Sequence, residues 1–593
     1  MVKKNILIPA LVMWCFIVIY DLALSNNLFC QETDGLEFTL DLNSPTVPLT
    51  SLFRPSIDLS GRGFHRENTW PQGLASPEAL DAWQKDIGFN GVFRVQYNLW
   101  EIEQLSKDPK AQEKLLINHE NIFRKITEAG GIIILDIFGT PAGLGQTLDQ
   151  KSPPWDFKAF KELIKGHIRN LSCNKRYNVW YEVWSAPDLD DFFLGRKQEY
   201  FSLYRAVAEA AMELSAESKI YIPVGGPAVS WWFQNLDSNT IVNPEGSLIY
   251  ELIKFCYRSQ LPLDFISWHA YSTDPKTEKD TTVYKKSGIA LVREWLSYFG
   301  FDKETRLIID EWNYDTNANI LPERDERSYI AASYVPARIK NMYNAGINYQ
   351  LYFSLEDFQE NKENVSRNTG IFSFDSRASD YKGSPKSTYN VFRMLSKLGN
   401  NLLSGFKSSD DFVDLIATKT QDGAAVLIYN YIDPEIVRSY LSRNIAALNG
   451  AERKTLLNLI SSGKLEKIML RELDLSKMRM SKRLKTLLKK AQEIKERAVK
   501  LKSAARNVNL AFKNFKGTYI YQRYAVDRSC SENCAFSPAE EKELDFSSPL
   551  KEALKLEPYS VNMIILTKKP AEPKKEAEAP VIPEQPASPP AGK

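Results

Sequence analysis

Between residues 56 and 395 one pattern recurs eight times: a short, nearly continuous apolar run, then a longer stretch with helical spacing. The runs are SIDLSG (56–61), GVFRVQYN (91–98), GIIILDIFG (131–139), YNVWYEVW (177–184), KIYIPVGG (219–226), LDFISWHAYS (263–272), RLIIDEWN (306–313) and INYQLYFSL (347–355). Strands with one wet face alternate apolar and polar residues; these runs mostly do not, as expected for strands covered on both faces. The intervening stretches carry helix signals. In SPEALDAWQKDIG, Ser76 falls at the N-cap, Pro77 at the first helical position and Gly88 just past the end. QEYFSLYRAVAEAAMELS (198–215) is another such stretch. Strand–helix alternation makes a parallel sheet wrapped by helices. Eight repeats predict an α/β fold, a (β/α)8 or TIM barrel over 56–395, with any site at the C-terminal ends of its strands.

After about residue 385 the pattern changes. DDFVDLIATKTQDGAAVLIYNYID (410–433) reads as two strands about a glycine-containing turn, and TYIYQRYAVD (518–527) and YSVNMIILTK (559–568) as two more. These predict a C-terminal β-sandwich-like accessory domain assembled from 396–435 and 507–568. It is interrupted at 436–506 by a helical insertion with 19 Lys/Arg against 6 Asp/Glu, a net charge of +13. Leu484, Leu487, Leu488, Ala491, Ile494, Ala498 and Leu501 keep helical spacing there. Two readings stand: an amphipathic helix packed on the sandwich with its basic face in water, or a surface attracting an anionic glycan or a membrane. No aromatics interleave with these charges, which argues against nucleic acid as a partner. The tail, 569–593, holds seven prolines and reads as a disordered spacer.

The first 25 residues have the form of a signal peptide: Lys3 and Lys4, an apolar run from Ile6 to Tyr20, and a small-residue site at Ala23-Leu24-Ser25. The run is short for a spanning helix, which needs about 20 residues. The expectation is a secreted, periplasmic or cell-surface protein, with an uncleaved membrane anchor as the alternative; residues 26–55 form an N-terminal extension. Cys15 would leave with the signal. Cys30, Cys173, Cys256, Cys530 and Cys534 remain, an odd number. In SCSENC, Cys530 and Cys534 are close enough for a small-loop disulfide in an oxidising compartment. A metal-binding CxxxC is the alternative, but no second ligand pair accompanies it. His65, His119, His167 and His269 are widely spaced, so the sequence points to no metal and no cofactor. Aromatics make up 12% of residues, which serves either a large core or a sugar-binding cleft.

Two strand ends carry the chemistry. YEVWSAPDL (181–189) resembles the Trp-Asn-Glu-Pro strand end of clan A glycoside hydrolases, and IIDEWNYD (308–315) resembles their nucleophile strand. VGGPA (224–228), SWHAYS (267–272), KGSPKSTYNVFRMLSKLG (382–399) and RYAVDRSCSEN (523–533) follow in order. Together they resemble glycoside hydrolase family 39, which contains β-xylosidases, α-L-iduronidases and bacterial polysaccharide hydrolases. The resemblance covers roughly 60–435 and, more weakly, 510–567. Retaining glycosidases place two carboxyl groups about 5–5.5 Å apart across the bond to be cut. The resemblance implies that Glu311 is the nucleophile and that Ala186 occupies the acid/base position. A methyl group delivers no proton. Ser185 stands where the family has an Asn that contacts the sugar 2-hydroxyl. Asp188, two residues beyond Ala186, is the candidate substitute acid. Glu182 shares the strand parity of Ala186 but lies four residues, roughly 13 Å, deeper.

The resemblance also implies that Arg94 hydrogen-bonds the nucleophile and that His269 and Tyr271 orient it or contact the sugar. A structural ion pair and a satisfied core histidine are the plain alternatives for Arg94 and His269. Trp184 and Trp312, at strand ends, serve either as sugar-stacking walls or as core. Tyr352 falls where the family often has Trp, and Asn313 completes the candidate substrate contacts. General acid catalysis is worth roughly 10²–10⁴-fold, so its loss weighs most on poor leaving groups. Three functions fit: a glycoside hydrolase-like enzyme with impaired acid catalysis, a carbohydrate-binding pseudoenzyme, or a transglycosylase passing a sugar from Glu311 to an acceptor. All three have an oligo- or polysaccharide as partner.

Overall fold

The computed structural model describes residues 35–61, 69–230, 244–279, 286–301, 305–314, 328–359, 366–367, 369–373, 383–404, 410–530, 533–547 and 550–570. The expected signal segment 1–25, the start of the extension, His65, Asp315 and the Pro-rich tail beyond residue 570 lie outside the described residues.

Each of the eight apolar runs meets a strand: β1 (Ile57–Asp58), β2 (Val92–Asn98), β3 (Ile132–Phe138), β4 (Val179–Val183), β5 (Val224–Val229, which begins near the end of its run and extends past it), β6 (Phe265–His269), β7 (Arg306–Trp312) and β8 (Tyr349–Tyr352). They pair in parallel in chain order, and β8 closes on β1. The caps act as read: the Ser76 hydroxyl accepts from Ala79 N at the start of helix Pro77–Asp86, and Gly88 takes φ +90 beyond its end. Inside the barrel, Val92, Ile134, Trp180, Phe265, Ile308 and Leu351 form a separate apolar layer near the N-terminal end. Trp180 stacks on Phe265 at 6.0 Å. This layer plugs the floor. Side chains in a strand repeat their direction every two residues. Two steps above Val92, Ile134, Trp180 and Ile308 stand Arg94, Asp136, Glu182 and Asp310, so the next interior layer is charged.

Two bulges re-aim the top of the barrel. On β7 one extra residue enters at Asp310–Glu311: Trp268 pairs with Ile309 but His269 with Glu311, and β8 shows the same shift. Asp310 and Glu311 can therefore both face the interior. On β5 the register against β6 shifts at Ala228, between Pro227 and Val229.

The accessory domain is a sandwich. One sheet runs Thr46–Pro48, Asn401–Leu403, Val413–Thr420, Gly423–Asn430, Ser560–Lys568, Thr518–Val526, Glu540–Asp545. The other is Leu36–Asp41, Arg506–Lys513, Leu550–Leu556. A shared core including Phe38, Leu40, Val426, Ile428, Val508, Leu510 and Ile564 lies between them. The extension 26–55 is thus no separate unit in its described part. Leu36–Asp41 pairs in parallel with Arg506–Lys513, and Thr46–Pro48 pairs with Asn401–Leu403. The alternation that buries Phe38 and Leu40 drives this.

The basic insertion also differs from a single helix lying on the sandwich. Helices Ile436–Asn444, Gly450–Ser461, Lys464–Met469 and Lys482–Lys502 bury Leu441, Leu456, Leu459, Ile468, Leu484, Leu487 and Leu488 in a core of their own. The end of the last helix, through Ala498 and Leu501, and Ile436 at the start of the first pack with Phe412 and Ile432 of the sandwich region. Ile494 is half-buried.

Candidate active site

Arg94 organises the charged layer. It is buried, and its guanidinium meets four carboxyl groups from four strands. Nε donates to Glu182 Oε2 at 2.6 Å, and Nη1 donates to Asp58 Oδ2 at 3.0 Å and Glu311 Oε1 at 2.7 Å. Nη2 lies 3.1 Å from Asp136 Oδ2 and donates to Ser185 Oγ at 3.0 Å. Glu311 receives a second bond from Tyr271 OH at 2.7 Å, on Oε2. Arg94 and Tyr271 therefore hold one oxygen each.

The layer contains five carboxyl groups, Asp58, Asp136, Glu182, Asp310 and Glu311, around one guanidinium. They cannot all be charged in a buried space. Burial, opposed by Arg94, pushes Asp58 up to about 6 and Asp136 up to about 8. Burial and the neighbouring Glu182 push Asp310 well above the usual carboxylate range. Asp136 therefore keeps its proton at neutral pH, and burial favours the protonated form of Asp310. Arg94 is pushed further above its ordinary value by these carboxyl groups, against the effect of burial. His269 is buried with Nε2 3.5 Å from Glu311 Oε1 and 3.6 Å from Asp310 Oδ2. Burial and then Arg94 push it down to about 3, so its ring is neutral. Burial and Glu311 push the Tyr271 hydroxyl well up, keeping it a donor.

The facing strand end is built differently. Three non-glycine residues there are left-handed: Trp184 (φ 70) and Ala186 (φ 44) after β4, and Ala228 (φ 52) at the β5 bulge. Such conformations cost on the order of 1 kcal/mol each and persist where neighbours fix them. Here Ala186 N donates to Ala228 O at 3.0 Å and Ala228 N to Ser267 Oγ at 3.2 Å. Ala186 is 1% exposed. Ser185 points at Arg94. Asp188 is buried, and its Oδ1 accepts from Ser230 N at 2.9 Å, bracing the β4 loop against the segment after β5.

Of the two readings of Trp184 and Trp312, the structure gives the core and not the stacking wall. Trp184 and Trp312 are fully buried. Trp184 donates to Phe192 O and packs on Phe138 and Phe193. Trp312 donates to Gln350 Oε1 and packs on Tyr334 and Tyr352. Tyr352 is buried with its hydroxyl on Asn313 Oδ1 at 2.9 Å, while Asn313 Nδ2 donates to Phe353 O and Thr369 O. These residues frame the site and present no face to it. Glu182 binds Arg94 alongside Glu311. Asp58, Asp136 and Asp310 were missed, although each is an acidic residue inside an apolar run, which can only face the barrel axis. Among the described residues no group of His, Cys, Asp and Glu could hold a metal ion.

A closed (β/α)8 barrel with a braced carboxylate at the end of its seventh strand, opposite the end of the fourth, defines a barrel of the glycosidase type. The chain belongs to glycosyl hydrolases family 39, whose sequence profile matches residues 144–482, more than half of it. The match runs into the helical insertion, which the motifs had left outside. The chain is 26% identical over 296 residues to a β-xylosidase from Caldicellulosiruptor saccharolyticus, covering 48% of this chain and 55% of that protein. It is 26% identical over 301 residues to one from Geobacillus stearothermophilus, covering 47% and 53%. It thus spans about half the length of the curated relatives it matches. In fold it is similar to a glucosidase from Croceicoccus marinus (TM-score 0.61, 16% identity, 91% of this chain and 100% of that one). It is also similar to a monomeric β-xylosidase from Caulobacter crescentus (TM-score 0.58, 16% identity, 90% and 100%).

Proposed function

We propose that this protein binds glycans in a retaining-type site in which Glu311 still attacks an anomeric carbon while the protonation of the leaving group is lost. The carrying observation is the asymmetry of the site. Glu311 is held by Arg94 and Tyr271, whereas Ala186, at the position that the family resemblance gives to the acid/base residue, offers only a buried methyl. In the first step the Glu311 carboxylate bonds to the anomeric carbon and the bond to the leaving oxygen breaks. A sugar hydroxyl leaves poorly without a proton; an activated phenol leaves as its anion. In the second step water attacks with no base to take its proton, whereas azide needs none and regenerates the carboxylate as it forms a glycosyl azide. The relatives named above make β-xylosides, and then glucosides, the first substrates to try.

Aryl glycosides with good leaving groups, assayed with and without azide, test this. Azide-stimulated phenol release is expected, lost in Glu311→Ala, with Ala186→Glu gaining hydrolysis of unactivated glycosides. No release from any aryl glycoside, with glycan binding intact, would replace this reading by binding alone. Ser185 favours that second reading, since its hydroxyl is engaged by Arg94. Export belongs to the proposal: the N-terminal segment has the pattern of a signal, and the Cys530–Cys534 disulfide suits an oxidising compartment.

A further inference from the structure

Fourteen large apolar side chains stand exposed among the described residues, and four of them, Leu148, Trp155, Phe192 and Leu194, lie in two loops. These loops follow β3 (139–156) and β4 (184–196), on the face of the barrel where β7 presents Glu311. They are joined: Leu194 N donates to Lys151 O at 3.0 Å, and Gly195 lies against Pro153. Trp155 is 63% exposed and yet fixed. Its backbone N donates to Leu144 O at 2.9 Å and its indole Nε1 to Gly143 O at 3.3 Å. A tryptophan anchored by its edge and left open to water forgoes the burial that usually justifies the residue. Clustered exposed apolar side chains mark a binding surface.

The position of the cluster identifies the ligand. Phe192 rides on the loop that carries the acid/base position: Leu189 N donates to Ala186 O, Phe192 N to Leu189 O, and Trp184 Nε1 to Phe192 O. In a retaining site the acid/base residue faces the leaving group, so these loops flank the leaving-group side of Glu311. We propose that Trp155 and Phe192 form a stacking platform for the leaving-group side of a glycan, which makes the ligand an oligosaccharide chain laid across the β3 and β4 loops. This rests on the glycan reading above. A pyranose ring offers an apolar C–H face to an aromatic plane and hydroxyls at its edge. Asp149, Asp190 and Asp191, exposed in the same loops, supply acceptors for those hydroxyls.

Calorimetric titration of the full chain with β-1,4-linked xylose, glucose and N-acetylglucosamine ladders, one to six units long, tests the platform. One ladder is expected to bind more tightly as it lengthens. Trp155→Ala and Phe192→Ala should each lower affinity for its longest member about tenfold, with the monosaccharide affinity as internal reference, and Trp155→Tyr should restore most of the length dependence. Binding that ignores chain length, or full affinity in both alanine variants, overturns the platform while leaving the glycan reading in place, and assigns the exposed cluster to a protein partner. Absence of binding to every ladder overturns the glycan reading itself.

Discussion

Replacing Asp136 by Asn separates two descriptions of the charged layer. Asp136 Oδ2 lies 3.1 Å from Arg94, a separation that fits an ion pair. Yet among the described residues neither carboxyl oxygen of Asp136 has a hydrogen bond of good geometry, and burial raises the group to about 8. We favour the neutral acid, because one guanidinium already serves Asp58, Glu182 and Glu311. The folded protein then holds this proton up to about pH 8, whereas the unfolded chain releases it near 3.8. Between those values the native state binds one extra proton. The stabilisation is full below pH 3.8, declines by ~1.4 kcal/mol per pH unit, and is gone above pH 8. Asn mimics the protonated acid and has no proton to lose. Urea unfolding followed by circular dichroism at pH 5, 6, 7 and 8 should give Asp136→Asn a pH slope shallower by ~1.4 kcal/mol per unit. At pH 5, above the unfolded value of 3.8, the parent has already lost ~1.7 kcal/mol that the variant keeps, so the variant should be the more stable by about that amount, to within the ~1 kcal/mol of exchanging one neutral polar group for another. An ionised Asp136 predicts the reverse: a loss of ~3–5 kcal/mol from stranding a buried charge, already present at pH 5, with the slope unchanged. That result would refute the proton count argued here.

Tyr271→Phe removes one of the two hydrogen bonds on Glu311. A bond to a charged group is worth ~1.5–3 kcal/mol, so azide-stimulated phenol release should fall roughly 10- to 150-fold; an unchanged rate would mean that Tyr271 does not position Glu311. Phe38→Ala empties part of the sandwich core and should lower stability by ~3–5 kcal/mol, read as a drop in the unfolding midpoint. A change below ~1 kcal/mol would show that the N-terminal strand is peripheral.

The barrel was legible because its signals are local and repeated. Each strand is an apolar run a few residues long, and the helix caps sit beside the residues they cap. Glu311 and Tyr271 were legible because motifs place them at or just past strand ends, and Arg94 because it is a charged residue inside an apolar run. What escaped depends on distant neighbours. The bulge at Asp310–Glu311 exists only relative to β6 and β8. Asp58, Asp136 and Asp310 form a layer only once three separate strands align, although each acidic residue in an apolar run was a visible sign. Trp184 and Trp312 stand at strand ends, as open aromatics would. Their burial is settled by partners such as Phe193 and Gln350. The strand Leu36–Asp41 is short, and its partner lies in the distant C-terminal part of the chain.

That pairing imposes an order on synthesis. Leu36 joins Val508, so the strand waits for roughly 470 residues, and at 5–20 residues per second that is about half a minute or longer. In the interval Phe38 and Leu40 have no sheet to join, and the strand is an open edge beside a barrel that can already be closing. Open edges of this kind recruit other chains. The accessory sandwich is therefore the last part of the molecule to fold, and its N-terminal strand is where a chaperone, or a neighbouring unfinished copy, would first take hold.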